Sequence, residues 1–206
     1  MKRLACIVEG EGEVESFPRL CNRILYNHLQ VSTWQVNARA FKISRGKLVD
    51  CRQSSPRRTC VRPEISRLVQ LAKSAERAQA VIVLCDADDD CPAIWGPDAT
   101  GVITTLLPGG AVMACREYES WLLWNRSHEE RAQAGVTSPE QLRDAKGAMA
   151  RFVPHYRPTA HQLAETQRID ISSVRAHSDS FDKLVRTLAS ICGVEAPSRP
   201  SSSSTP

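Results

Sequence analysis

The stretch IVLCDADDDCP, residues 82–92, ends an apolar run in four aspartates within five positions. A second apolar run, in ACIVEGEGEVESF near the start of the chain, ends in Glu9, Glu11, Glu13 and Glu15. A third, AVMACREYES, leads into Glu117 and Glu119. Like charges raise one another's pKa, so this many carboxylates cannot gather in ionised form without compensation. A divalent cation with oxygen ligands supplies it. Magnesium suits such a site because it takes a few carboxylates and keeps waters for substrate phosphates.

That chemistry requires the three clusters to meet. LACIV (4–8) and AVIVLC (80–85) are short continuous apolar runs, as expected of strands buried on both faces, and AVMAC (111–115) is a third. Another strand is expected at 34–43. Val14, Phe17, Leu20, Cys21, Ile24, Leu25 and Leu29 form a helical stripe over 14–29. Pro63 opens a second helix reaching about Ala78. Residues 92–107 are expected to be helical in part, despite Pro97 and Gly101, and ESWLLWN begins a further helix. Strand and helix alternate, which predicts an α/β fold: an open, mainly parallel sheet of about four strands with helices on both faces. In such sheets ligands bind outside the carboxyl ends of the strands. Glu9, Asp86, Asp88, Glu117 and Glu119 would then share one edge.

Other readings of the aspartates fare worse. Asp86, Asp88 and Asp90 match the start of an EF-hand loop. Cys91 stands where its glycine belongs, Pro97 where its last ligand belongs, and no helix precedes the run. A phosphatase of the haloacid-dehalogenase type also carries D-x-D, but after the first strand of its domain. Simple capping of the next helix explains one cluster better than three.

The C-terminal third differs in pattern. Segments 139–151 and 181–192 look helical, with Ser180 or Asp179 expected to cap the last helix. HYRPTAHQ between them reads as irregular, with His155 and His161 at the surface. Trp121 and Trp124 read as a core stripe and Tyr118 as aromatic packing at a strand end. The expected organisation is an α/β domain over 1–126, a helical extension over 127–195 packed on it, and a disordered Pro/Ser-rich tail over 196–206.

Charge adds a second theme. The net charge is only +4, yet Arg39, Lys42, Arg45, Lys47, Arg52, Arg57, Arg58, Arg62 and Arg67 face just Asp50 and Glu64 between positions 39 and 67. This is a candidate phosphate-facing surface, with a solvated loop as its plainer reading. Eight cysteines include no C-x-x-C pair, so structural zinc is not expected. No stretch nears the roughly 20 apolar residues of a membrane span. The acids follow the first apolar run too early for a signal peptide, so a cytoplasmic location is expected.

IVEGEGE followed by VLCDADDD resembles the Toprim domain of topoisomerases, primases and OLD-type nucleases. With RGKL, CREYESWLL, YRPT and SFDKL, the chain is similar to an uncharacterised family of small Toprim-like bacterial proteins often encoded beside an ATPase. The Toprim likeness covers about residues 4–125 and the wider one reaches about Arg186. A glycine often follows the Toprim D-x-D, and Asp90 and Cys91 stand here instead.

The resemblance implies phosphodiester chemistry with magnesium or manganese. Asp86 and Asp88 would ligate the ion, with Asp90 beside them. Glu9 would complete the coordination or act as general acid/base, and Glu13, which fits the E-G-x-x-E of OLD-type variants, would assist or hold a second ion. One of Glu117 and Glu119 would supply the last carboxylate. Arg45, Lys47, Arg57 and Arg58 would grip the phosphates of nucleic acid, DNA before RNA. Arg116 would pair with an acid. Topoisomerase and primase roles need domains for which 206 residues leave no room. That leaves a nuclease, alone or with an AAA- or ABC-type ATPase in a defence or genome-conflict setting. A non-catalytic binding module and a small-substrate phosphatase remain alternatives.

Overall fold

Alternate residues along the central strands face opposite layers, and both layers are apolar. In the computed structural model, which describes residues 1–48 and 63–201, β1 (Lys2–Val8) sends Leu4, Cys6 and Val8 to one side and Ala5 and Ile7 to the other. The same alternation runs through β4 (Ala80–Asp86) and β5 (Gly109–Ala114). A strand buried on both faces has no polar side to show, which is why these runs carry no internal charge.

The sheet is parallel throughout, with strand order β2-β1-β4-β5. The single strand expected at 34–43 is two short ones on the same edge of β1. β2 (Trp34–Val36) pairs with its beginning and β3 (Phe41–Lys42) with its end. Between them the chain steps away, and Ala40 N bonds to Val14 O at the start of the first helix.

Helices cover both faces. α2 (Glu64–Ala75) and α3 (Pro92–Thr104) share one layer, where Trp95, Ala99 and Ile103 turn inward despite Pro97. The other layer holds α1 (Glu13–Arg23), which continues as a π-type turn over Ile24–His28, and α4 (Glu119–Trp124). α5 (His128–Gln133), α6 (Ala145–Met149), α7 (Leu163–Gln167), α8 (Ile171–His177) and α9 (Asp179–Cys192) follow. Met149, Val174, Phe181 and Leu184 join the same core as Phe17 and Trp121. The fold is Rossmann-like α/β. Among the described residues no helix is long and apolar enough to cross a membrane.

Three local expectations change. HYRPTAHQ is not irregular throughout: Pro158–Gln162 forms a π-type turn that runs into α7. α8 had no counterpart in the periodicity. The cap of α9 is Ser178, whose Oγ accepts from Phe181 N at 3.1 Å, and neither Asp179 nor Ser180. Ser178 Oγ also donates to Glu140 Oε1 at 2.5 Å. Ser178→Ala removes both bonds, and chemical denaturation is expected to show a loss of about 1–2 kcal/mol.

Up to Ser201 the tail has no regular secondary structure, yet it is tied down. Arg175 Nη2 donates to Pro197 O at 2.6 Å, and Arg199 Nε donates to Arg175 O at 2.9 Å. Residues 202–206 lie outside the described part of the chain.

Candidate active site

Parallel pairing brings the strand ends level. Ile7 stands opposite Val83 and Asp86 opposite Ala114, so the residues that follow all emerge on one edge. Glu9 comes directly after β1, Asp86 closes β4, Glu13 opens α1 and Glu119 opens α4. Glu9 Oε2 accepts from Asp86 N at 3.4 Å. Asp86 Oδ1 accepts from Tyr118 N at 2.8 Å. Glu13 Oε2 accepts from Gly10 N at 2.7 Å, and Glu119 Oε1 accepts from Tyr156 OH at 3.2 Å. Glu13 is 5% exposed and Glu119 1%. Glu119 Oε2 is buried and has no hydrogen-bond partner among the described residues.

These four acids form one electrostatic group. Burial drives the Asp86 pKa well above the ordinary carboxylate range, and the charges of Glu13, Glu119 and Glu9 push it further, against Lys146. Burial lifts Glu119 to about 7, opposed by Lys146 and its own backbone and assisted by Glu117 and Glu13. Burial also raises Glu13, against Gly10 N–H, Lys146 and the Gln162 amide. It raises Glu9 against Arg45 and the Asp86 N–H. Raised, clustered carboxyls are a common mark of functional sites.

The donor set is all oxygen, and one buried carboxylate oxygen is uncommitted, which fits magnesium or manganese. The side chains are not yet gathered on one point. Among the described residues no group of three or more His, Cys, Asp or Glu is arranged to hold a metal ion.

The remaining acids face outward onto cations. Arg45 donates to Asp86 O, Ala87 O and Asp90 Oδ2, with Nε 3.4 Å from Asp88 Oδ2 and Nη1 3.7 Å from Glu9 Oε2. It stands among the acids rather than on an open phosphate-facing surface, and Lys47 beside it is exposed. Arg57 and Arg58 lie outside the described residues. Arg39 pairs with Glu15 and Lys42 with Glu11. Arg116 pairs with Asp89. Glu117 and Glu119 part company: Glu117 Oε2 accepts from Lys146 N at 2.7 Å at the start of α6, while Glu119 turns inward beside Asp86. Tyr118 and Trp121 are buried in the core, and Tyr118 OH lies 3.0 Å from Thr166 Oγ1.

Lys146, Tyr156 and Gln162 complete the site; Tyr156 opens the YRPT of the family resemblance but was given no role there, and Lys146 and Gln162 carried no motif. Tyr156 reaches Glu119. Gln162 is fully buried and faces Glu13 without closing a hydrogen bond. The one legible signal was Pro158, a helix-opening proline ahead of a polar-apolar run. Gln162 also explains Gly12. A Cβ there would lie 1.8 Å from Gln162 Oε1 and 2.7 Å from Pro158 Cβ. Gly12→Ala is expected to cost about 1–3 kcal/mol by overpacking, read from thermal unfolding. Truncation to Gln162→Ala in the same chain should recover part of it.

No curated protein and no solved structure matches this sequence. One family profile does, over residues 8–189, and that span holds every carboxylate of the site together with Lys146, Tyr156 and Gln162. The chain belongs to the family described as a domain of unknown function, DUF4276.

Proposed function

We propose that this protein is a magnesium- or manganese-dependent phosphodiesterase of the Toprim type, cutting nucleic acid, DNA in preference to RNA. The observation that carries the reading is the meeting of Glu9, Glu13, Asp86 and Glu119 from separate turns on the carboxyl edge of the sheet, with Glu119 Oε2 buried and unpaired. A bound ion supplies charge neutralisation at the phosphate and a more acidic water.

The chain does the rest. Asp86 and Glu119 would hold the ion. Glu9 takes up the proton of the attacking water at Oε1, since Oε2 is engaged by the Asp86 amide and Arg45. Burial raises its pKa above the ordinary carboxylate value, the direction that a general base requires. Glu13 holds the Gly10 turn and sustains the field that keeps its neighbours basic. Asp88 and Asp90 would be further ligands, and Arg45, paired with both, is their resident counter-charge. The same likeness proposes an AAA- or ABC-type ATPase as partner, in bacterial defence or genome conflict.

The test is cleavage of supercoiled and linear DNA, and of RNA, with each metal in turn. Cleavage that Glu9→Ala and Asp86→Ala both abolish supports the reading. No turnover with any metal, together with no divalent heat in calorimetry, overturns it. One observation favours a second reading, a non-catalytic module that binds nucleic acid or the ATPase. Arg45 already neutralises Glu9, Asp88 and Asp90. Binding that survives both substitutions without turnover would select that reading.

A further inference from the structure

Two arginines converge on a single carboxylate oxygen just outside the acid cluster. Arg116 Nη1 bonds to Asp89 Oδ1, and Arg143 Nη2 lies 3.4 Å from the same atom. Arg116 Nη1 also donates to Asp88 O at 2.8 Å. The turns that present them are locked together. Asp88 and Arg116 both have left-handed backbones, with φ of 47° and 65°, and Asp88 N donates to Arg116 O at 2.9 Å. Asp88, Asp89, Arg116, Glu117 and Arg143 line one cavity of about 380 Å³. The cavity shares Asp88 and Glu117 with the carboxylate edge, so a group bound in it is next to the proposed reaction centre.

Two guanidiniums on one oxygen is the arrangement that recognises a phosphate, and a carboxylate is its nearest mimic among side chains. We propose that Arg116 and Arg143 form the subsite for a nucleic-acid phosphate flanking the one to be cut, and that Asp89 fills it until that phosphate displaces it. Asp89 and Arg143 can part at low cost, because their side chains are 68% and 80% exposed. Arg116, at 28%, is the fixed member. The inference rests on the phosphodiesterase reading and supplies the substrate contact that Arg45, turned into the acids, does not.

The experiment is a binding cycle with full-length protein and a fluorescein-labelled oligonucleotide, single- and double-stranded, in chelator so that no cleavage intervenes. Asp89→Asn should tighten binding roughly fivefold, the scale of losing one exposed ion pair. Arg116→Ala with Arg143→Ala should weaken it and lower the slope of log K against log salt by one phosphate's worth, about 0.9 on the duplex and about 0.7 on the single strand. In that double-arginine background Asp89→Asn should do nothing. Glu129→Gln on α5, which removes the same charge elsewhere, should leave binding unchanged. The proposal is overturned if wild type binds no oligonucleotide, if Asp89→Asn tightens binding equally without the arginines, or if Glu129→Gln matches it. Inorganic phosphate that competes at millimolar concentration against wild type but not against the double-arginine variant supports the subsite; equal competition against both counts against it. Coupling retained without cleavage in any metal would sink the reaction and keep the subsite. Metal-dependent cleavage without coupling would do the reverse.

Discussion

Asp86→Asn is expected to give a protein that is harder to unfold and unable to cleave. In chelator at pH 8 the gain should be about 1–2 kcal/mol, the size seen when a functional site is relieved of strain. That corresponds to a rise of about 3–6 °C in Tm for a chain of this length. The amide keeps the shape, and its oxygen can still accept from Tyr118 N, the bond that Asp86 Oδ1 now accepts at 2.8 Å. What disappears is a carboxyl whose ionisation is opposed by burial and by the neighbouring Glu13, Glu119 and Glu9. The same carboxyl, once ionised, is what an ion needs. Losing about 4 kcal/mol of stabilisation at the phosphate slows cleavage about a thousandfold. Magnesium should then raise the Tm of the wild type by mass action and leave the variant unmoved. A variant less stable than wild type, or one that still cleaves, would show that Asp86 is there for the fold.

The parts of this arrangement that were legible in the sequence are those set by local pattern. β1 and β4 show as uninterrupted apolar runs because both faces are buried, and the carboxyl edge follows once the strands are parallel. Glu9, Asp86 and Glu119 fall next to one another for that reason alone. The rest depends on groups distant in the chain. Tyr156 lies just ahead of the π-type turn Pro158–Gln162 and Gln162 ends it, against the start of α1, and nothing in YRPTAHQ signals the carboxylates they meet. Arg45 belongs to a segment whose charge count suggested an open basic face. Electrostatics acts through space, and Glu15, Glu11 and Asp90, remote in sequence, take up Arg39, Lys42 and Arg45. The break between β2 and β3 is likewise invisible to a period-two pattern, since it is made by a bond from Ala40 N to Val14 O.

Glu119 makes the second large prediction, one of pH. Its carboxyl titrates at about 7 in the folded protein against an ordinary 4.5, chiefly because it is buried. The neutral acid is the form the fold favours, so its contribution is complete below about pH 4.5 and is lost as pH rises through 7. Two and a half pKa units amount to about 3 kcal/mol. Glu119→Gln carries no such charge. In chelator the two proteins should differ little in pH dependence below pH 4, and the variant should gain on wild type by about 3 kcal/mol between pH 4 and 8. Other carboxylates work in the opposite sense. Asp182, held low by Arg175 and Arg186 despite its burial, loses stability as pH falls. Comparing the two proteins removes that background, which both share. A fixed cost from placing the amide nitrogen where Oε2 has no partner would shift the whole curve, not its slope. A gap between the proteins that does not change with pH would therefore mean that Glu119 ionises freely in the fold. If Glu119 does hold an ion, divalent affinity must climb over the same interval. Binding then expels a proton that burial had kept on the carboxyl, and calorimetry in buffers of different ionisation heat would count it.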